Sequence, residues 1–396
     1  MSEEFIEFTE AVAKTSKGEA LRGDKNFSKV TVLGGGADAR IIAALCLASG
    51  AEVALFSAYG AELEAMRASS GINLRGEGPI GTFHVDKKSG PSILTTPEID
   101  NAVKGAEIIF LTGPIHKQRT YAMVLANHLV DGQVIVIAPG RSLGALEASW
   151  LLRVGGCDVD ITLVEIQGFP YWYQETGSVL NLTKSGSRPA ATLPSGRNDI
   201  LKGLMKYLPS LDIHESILSS SFADGSAIIE FPALMMNGPA FSSGAIAVPM
   251  GGVPLSENAT FASLIGEEQT LLINKLLEER RNIASLFGVR DLPTNEWFIN
   301  MYAGSIIGEG VRKIPSISEA KELLRDGVIG SLVPLLSAAQ IGGVKIPVTE
   351  SLITLASGIL GADVASAGRR LDTVGIQSSD IEQARRAMDS IAMGVK

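Results

Sequence analysis

The chain has 396 residues, of which 45% are hydrophobic and 19% are charged, and its formal net charge is −9 at pH 7. This length and composition predict a globular protein with large apolar cores, built as two domains. The negative charge, with no cluster of Lys and Arg, argues against nucleic acid or an anionic membrane surface as a partner. The two cysteines have no metal-site or disulfide spacing, and no apolar run has the length of a membrane span, so we expect a cytoplasmic protein.

A glycine turn between a predicted strand and a predicted helix is the strongest local signal. The apolar run 30–33 predicts a buried strand, and the spacing Gly34-x-Gly36-x-x-Ala39 follows it at once. This spacing is typical of dinucleotide sites: glycines allow the turn and the approach of the pyrophosphate, and a small residue lets helix pack on strand. The start of the helix supplies free N–H groups for the phosphates. The predicted contacts are Gly34, Gly35, Gly36, Ala37 and Ala39; the alternative is a purely structural turn.

Strands and helices then alternate through the first half of the chain. Strands are predicted at 51–56, 107–112, 133–137 and 161–165, with shorter ones at 179–184 and 190–193; helices are predicted to 49 and at 61–69, 99–103, 118–129, 143–152 and 199–207. This order predicts a doubly wound parallel sheet, with ligands beyond the carboxyl ends of its strands. We therefore expect three segments at the cofactor crevice: Thr112 to His116, Pro139 to Ser142 and Glu165 to Gln174. The predicted cofactor contacts among them are Thr112, Gly113, Pro114, Pro139 and Gly140.

The second half has a helical pattern with few strand signals. Helical spacing of apolar residues covers 261–287, 328–340 and 348–360. We expect an N-terminal extension at 1–28, a Rossmann domain at 29–213 and a mostly α-helical domain at 214–396. The extension and the helical domain are compatible with a homodimer.

The end of the second predicted strand bears on the cofactor. NAD enzymes normally carry Asp or Glu there to bind the ribose hydroxyls. This chain has Ser57 instead, which removes repulsion against a 2′-phosphate and offers a hydroxyl to it. The sequence therefore favours NADP slightly over NAD.

Several motifs together resemble one enzyme family. They are the GxGxxA turn, a strand that ends in Thr112-Gly113-Pro114, the dipeptide Pro139-Gly140, Glu165 followed by Pro170-Tyr171, the segment 232–237, Glu278-Glu279-Arg280 and the tail 352–371. In this combination and order they resemble the octopine/nopaline (opine) dehydrogenases over nearly the whole chain after residue 29. The resemblance implies a Rossmann domain, a helical domain and reduction of an imine between an amino acid and a 2-oxo acid with NADH or NADPH.

The residues that the resemblance implies for catalysis are changed. The family's His before a Pro corresponds to Phe231, and its partner Asp corresponds, in an ungapped match, to Gly327. A one-residue gap would instead bring Asp326 to the second position. Gln174 replaces the Arg that ends the Pro-Tyr element. We therefore expect a divergent member with changed chemistry.

Three other side chains are candidates for the proton transfer that accompanies hydride transfer. His116 follows the strand that ends at Thr112, Glu165 ends a strand at the crevice, and Glu230 stands beside the vacated His position in an apolar run. Each has a plainer alternative: a loop His, a structural Glu and a solvent-facing Glu. Candidate substrate contacts are Tyr171, Gln174, Phe231 and Asn237. No metal-ligand spacing occurs, so no metal site is expected.

The sequence thus predicts an NAD(P)-dependent oxidoreductase of opine dehydrogenase-like type. Its substrate would be a small amino-acid-derived or 2-oxo or 2-hydroxy acid compound, with imine reduction and simple ketone or alcohol chemistry both open. The alternative from another class is a catalytically silent nucleotide-binding or regulatory protein of the same fold, because the family's catalytic pair is missing.

Overall fold

The computed structural model describes residues 26–236, 258–305, 310–378 and 380–392. Within these ranges the strands are β1 (Lys29–Leu33), β2 (Glu52–Phe56), β3 (Ile72–Gly76), β4 (Gly81–Phe83), β5 (Ile93–Thr96), β6 (Ile108–Leu111), β7 (Val134–Ile137), β8 (Thr162–Ile166), β9 (Tyr171–Thr176), β10 (Val179–Lys184), β11 (Arg188–Leu193) and β12 (Leu211–Ile213).

The α-helices in the same ranges are α1 (Ala37–Ala48), α2 (Gly60–Ala68), α3 (Ile99–Val103), α4 (Ile115–Leu125), α5 (Gly144–Val154), α6 (Asn198–Leu204), α7 (Ile217–Phe222), α8 (Ser226–Met235), α9 (Glu267–Leu286), α10 (Asn295–Ala303), α11 (Ile317–Gly327), α12 (Val333–Gly342), α13 (Pro347–Leu360) and α14 (Ile381–Ala392). None of them is long and apolar enough to cross a membrane.

The main sheet has the strand order β12-β11-β8-β7-β6-β1-β2-β5. Six neighbouring strands of this sheet run parallel, in the spatial order β5, β2, β1, β6, β7 and β8, which is that of a dinucleotide-binding fold. Every residue of β6 and β7 is buried, since helices cover both faces of the sheet. The expected Rossmann fold followed by a helical half is confirmed.

The sequence did not predict two features of the sheets. Strand β11 runs antiparallel to β8, so the main sheet is mixed. Strand β9 pairs with β10, and these two join β3 and β4 in a second sheet of four strands. The sequence predicts no strand at Tyr171–Thr176, because this segment lacks the apolar alternation of a typical strand.

The helical half begins at α7, just after β12 ends, so the predicted division at 213/214 falls in the loop between them. One apolar cluster joins α8, α9, α10, α11 and α13. Helix α11 starts with a capping box: Ser316 N–H donates to Glu319 Oε2 at 2.7 Å, and Glu319 N–H donates to Ser316 Oγ at 3.3 Å.

A break in the helical pattern ties the two halves together. The helix predicted over 328–340 begins instead with a π-helical turn, Val328–Leu332, before α12. Pro334 has no N–H to donate to the Gly330 carbonyl, four residues earlier. That carbonyl accepts instead from the Ser142 N–H, 2.9 Å away, in the loop after β7. The π turn is thereby fixed against the carboxyl edge of the sheet.

Candidate active site

A cleft of about 670 Å³ lies between the carboxyl edge of the main sheet and the helical half. Its sheet side includes residues of the glycine turn and of the loops after β6 and β7: Gly36, Ala37, Ala39, Thr112, Gly113, Pro114, Pro139 and Arg141. Its other walls come from the segment 168–176 and from the helical half, with Asp224, Glu230, Tyr302, Arg312 and Asp326. The predicted nucleotide turn thus faces charged groups from a distant part of the chain.

The glycine turn has the geometry that its spacing predicts. Gly34 has a φ of +135°, and a Cβ there would lie 2.4 Å from Thr112 Oγ1. Gly36 is the N-cap of α1, and no side chain caps this helix. A Cβ on Gly36 would meet nothing within 4 Å, so the N–H groups of the first turn of α1 are open to a ligand. These features fit the pyrophosphate of a dinucleotide.

Ser57 is not presented to a ligand. It is fully buried, and its hydroxyl donates to Glu62 Oε2 at 2.5 Å while it accepts from the Tyr59 N–H at 3.1 Å. Glu62 comes from the first turn of α2 and also contacts Lys117, with Nζ 3.2 Å from Oε1. The sequence did not predict a role for Glu62, because the acid of NAD enzymes is expected at the end of the strand and Glu62 lies on the following helix.

A buried ion pair stands in the helical wall of the cleft. Arg312 donates to Glu230 Oε1 at 2.7 Å and to the Tyr302 carbonyl at 2.7 Å. Its guanidinium carbon is 4.5 Å from the centroid of the Trp172 ring. The second carboxylate oxygen, Oε2 of Glu230, is buried and accepts no hydrogen bond from the residues that the structure describes. Glu230 therefore has one acceptor still available at the cleft.

Arg141 lies opposite this pair, directly after the Pro139-Gly140 loop. Its φ of 55° bends the backbone, and one terminal nitrogen donates to Ser226 Oγ at 2.8 Å. Its Nε is buried and bonds to none of the described residues. Burial lowers the pKa of Arg141, but the carboxylates of Glu230, Asp326 and Asp224 outweigh it and hold this pKa above its usual value. Arg141 is therefore a permanent positive charge with a donor to spare.

Two acidic side chains, Asp38 and Asp326, also line the cleft. Burial raises the pKa of Asp38, in the first turn of α1, to about 6, against a hydrogen bond from the Tyr173 hydroxyl. Burial also raises the pKa of Asp326, although Arg141 and a hydrogen bond from the Ile115 N–H lower it. In the described part of the chain no group of three or more His, Cys, Asp or Glu side chains is arranged to hold a metal ion.

Two of the predicted catalytic residues do not line the cleft. His116 is exposed, in the first turn of α4, although it is near enough to Asp326 to lower the pKa of that carboxyl. Glu165 is fully buried behind Gly140, where burial raises its pKa to about 7. It accepts hydrogen bonds from the Ala145 N–H at 3.0 Å and from Ser221 Oγ at 2.7 Å. Glu165 thus holds β8 to α5 and α7 instead of facing the crevice.

Comparisons with known proteins agree with this architecture. No model of a known protein family matches the chain. The opine dehydrogenase of Arthrobacter sp. (strain 1C) is 24% identical over 371 residues, which cover 90% of this chain and 98% of that protein. Protein ocs of Agrobacterium tumefaciens (strain Ach5) is 22% identical over 302 residues, 74% of this chain and 82% of that protein. The chain is opine dehydrogenase-like.

Solved structures show the same fold at lower identity. A structure of octopine dehydrogenase with NADH and pyruvate superposes with a TM-score of 0.66 at 18% identity, covering 93% of this chain and 98% of that one. A yersinopine dehydrogenase with NADP⁺ gives a TM-score of 0.58 at 13% identity, covering 93% of this chain and 99% of that one. The fold of these dehydrogenases is therefore shared over 93% of this chain.

The two positions at which the resemblance implies the family's catalytic pair lie side by side. Phe231 is fully buried in α8, and a Cβ on Gly327, at the end of α11, would lie 3.0 Å from Cε2 of the Phe231 ring. The same Cβ would lie 3.2 Å from that of Ala227. An apolar contact thus occupies the place where the resemblance implies a His and an Asp, and Phe231 does not line the cleft.

The remaining predicted contacts have mixed positions. Tyr171 and Gln174 line the cleft on β9, as expected, whereas Gly140 packs against Glu165 behind it. Asn237 lies outside the described residues. Arg141 lies at the cleft, as expected for the segment from Pro139 to Ser142, although the sequence did not single out its side chain. Arg312 was not predicted, because nothing local in the sequence marks it.

Proposed function

We propose that this chain is an NAD(P)-dependent oxidoreductase that acts on a small amino-acid-derived or 2-oxo or 2-hydroxy acid substrate. The observation that carries the proposal is the single cleft that joins the open start of α1 to the buried Arg141, Glu230 and Arg312. A nucleotide turn alone is common to many functions, but a turn that shares a cleft with buried charges fits a cofactor beside a polar substrate.

The cofactor would lie along the carboxyl edge of the sheet. The open N–H groups of α1 would hold the pyrophosphate, and Thr112, Pro114 and Pro139 would border the nicotinamide. When bound, the nicotinamide supplies or accepts the hydride. The NADP preference stays a prediction from the sequence, and the buried Ser57 hydroxyl, already paired with Glu62, weakens its premise.

The substrate would bind at the charged end of the cleft. The free Nε of Arg141 is suited to a substrate carboxylate, because a guanidinium and a carboxylate form strong charge-assisted hydrogen bonds. The free Oε2 of Glu230 is suited to an ammonium, imine N–H or hydroxyl donor. These two groups of opposite charge would orient an amino-acid-like or hydroxy acid substrate against the nicotinamide.

The proton would pass through a carboxyl group of the cleft. Glu230 remains our predicted proton donor or acceptor, and Asp326, which lines the same cleft beside Arg141, is a second candidate. His116 is a weaker candidate than the sequence suggested, because it is exposed and outside the lining.

The test is a turnover screen with the purified full chain. NADH or NADPH oxidation is followed with 2-oxo acids alone and with 2-oxo acids mixed with amino acids, and the products are analysed by mass spectrometry. An N-carboxyalkyl amino acid would establish imine reduction, and a hydroxy acid made without amine would establish ketone reduction. Absence of any product, with the cofactor bound, would contradict the proposal.

That last outcome would favour the second candidate, a catalytically silent nucleotide-binding or regulatory protein. The specific observation behind it is the apolar contact of Phe231 with Gly327 where the family's pair is implied. A homodimer also stays a prediction of the sequence, and sedimentation equilibrium of the full chain would test it.

A further inference from the structure

One carboxylate lies where the adenosine ribose of a dinucleotide belongs. In this fold the ribose sits at the end of β2, beside the glycine turn. Glu62 enters that place from α2: its Oε2 accepts from Ser57 Oγ at the end of β2. The side chain also lies directly against the turn, because a Cβ built on Gly35 would be 2.0 Å from Glu62 Oε2 and 2.7 Å from its Cβ.

The contact with the turn explains why position 35 is glycine. Any side chain at Gly35 would occupy the space of Glu62, so the middle glycine of the Gly34-Gly35-Gly36 run makes room for the acid and not for the phosphates. The turn and the acid therefore form one unit, although they are far apart in the sequence.

The charges around Glu62 decide which cofactor suits it. Lys117 Nζ is 3.2 Å from Glu62 Oε1 and 4.7 Å from the centroid of the Tyr59 ring. Ser57 already uses its hydroxyl toward Glu62 and Tyr59. A 2′-phosphate carries a charge of about −2, which would repel the carboxylate, and it would have to take Lys117 away from Glu62. The ribose 2′-hydroxyl of NADH would instead donate to the carboxylate with Lys117 left in place.

We propose that Glu62 makes this chain select NADH over NADPH. The proposal rests on the cofactor site of the proposed function, and it reverses the weak preference drawn from the residue at the strand end. Glu62 is a specificity residue and takes no part in the hydride or proton transfer.

The test measures binding and not turnover. Dissociation constants of NADH and NADPH are determined for the full chain by nicotinamide fluorescence. We expect the native chain to bind NADH at least ten times more tightly. Glu62→Gln keeps the shape and a hydrogen bond to Ser57 but removes the charge, and should bring the two constants within about threefold. Glu64→Gln, an exposed residue on the same helix, should leave the preference unchanged.

A second variant keeps the test informative if Glu62→Gln unfolds, as circular dichroism would show. Lys117→Met removes the cation nearest to a 2′-phosphate and should weaken NADPH binding further while NADH binding changes less than threefold. Equal or tighter NADPH binding by the native chain, or an unchanged ratio in folded Glu62→Gln, would overturn the assignment while the cofactor site stands. Binding of neither cofactor would overturn the proposed function and this assignment with it.

Discussion

Positions 231 and 327, where the resemblance implies a catalytic His and Asp, give a prediction that depends on the packing of α8 against α11. The change is Phe231→His and Gly327→Asp, made singly and together. Gly327→Asp alone places a carboxylate against the Phe231 ring, because a Cβ at position 327 would lie 3.0 Å from Cε2 of that ring. A buried unpaired charge costs several kcal/mol, so we expect a loss of about 3 to 5 kcal/mol in the free energy of unfolding.

The other variants follow from the same contact. Phe231→His loses apolar contacts and buries an imidazole without a partner, which should lower the free energy of unfolding by about 2 kcal/mol. In the double variant the imidazole and the carboxylate can pair. Coupling between contacting residues is typically 0.5 to 3 kcal/mol, so we expect the double variant to be about 2 kcal/mol more stable than the sum of its parts.

Urea unfolding of the four proteins, followed by tryptophan fluorescence, measures this coupling. The control combines Phe231→His with Gly358→Asp, at an exposed glycine of α13 with nothing within 4 Å of its Cβ, and should be additive. Additivity within about 0.5 kcal/mol for the first pair as well would refute the reasoning that positions 231 and 327 form one vacated site.

Three further predictions concern buried charges. Arg141→Met should raise the KM for the carboxylate substrate found in the screen about 10- to 100-fold, which is the contribution of one charge-assisted hydrogen bond, and should leave NADH binding unchanged. Arg153→Met, at an exposed position, should change neither the KM nor NADH binding. An unchanged KM in Arg141→Met would show that Arg141 does not bind the substrate. Arg312→Met leaves the buried carboxylate of Glu230 without its partner and should lower the free energy of unfolding, measured in urea, by about 3 to 5 kcal/mol. Loss of the exposed ion pair of Arg370 should lower it by at most about 1 kcal/mol. Similar losses for the two pairs would contradict this prediction. Burial raises the pKa of Glu165 in the folded protein from 4.5 to about 7, so the free energy of unfolding should fall by about 3 kcal/mol as the pH rises between these values. Glu165→Gln should reduce this pH dependence. An equal pH dependence in the variant would contradict the prediction.

The sequence predicted those parts of the fold that depend on local patterns. The glycine turn, the apolar strands and the helical second half were all identified correctly, because periodicity and turn chemistry act over a few residues. The π turn at Val328–Leu332 was not, because the Gly330 carbonyl, which Pro334 has no N–H to bond, accepts instead from Ser142 in a distant loop.

The site was predicted less well, because its residues meet only in three dimensions. Tyr171 and Gln174 were placed at the cleft from their position after a strand, and the structure agrees. Glu165 satisfied the same rule, but its side chain points into the interior, to Ala145 and Ser221. Glu62 reaches the turn from a helix, so no motif reports it.

The most direct test of the central claim is whether the glycine turn binds a nicotinamide dinucleotide. Thermal unfolding of the native chain is recorded with and without NADH, beside Gly36→Asp, which puts a negative charge in the open turn, and Gly358→Asp as control. A ligand at a hundred times its dissociation constant adds about 2.7 kcal/mol. We predict that NADH raises the unfolding temperature of the native chain and of the control, and that it leaves the unfolding temperature of Gly36→Asp unchanged. No shift for the native chain with NADH or NADPH would contradict the account.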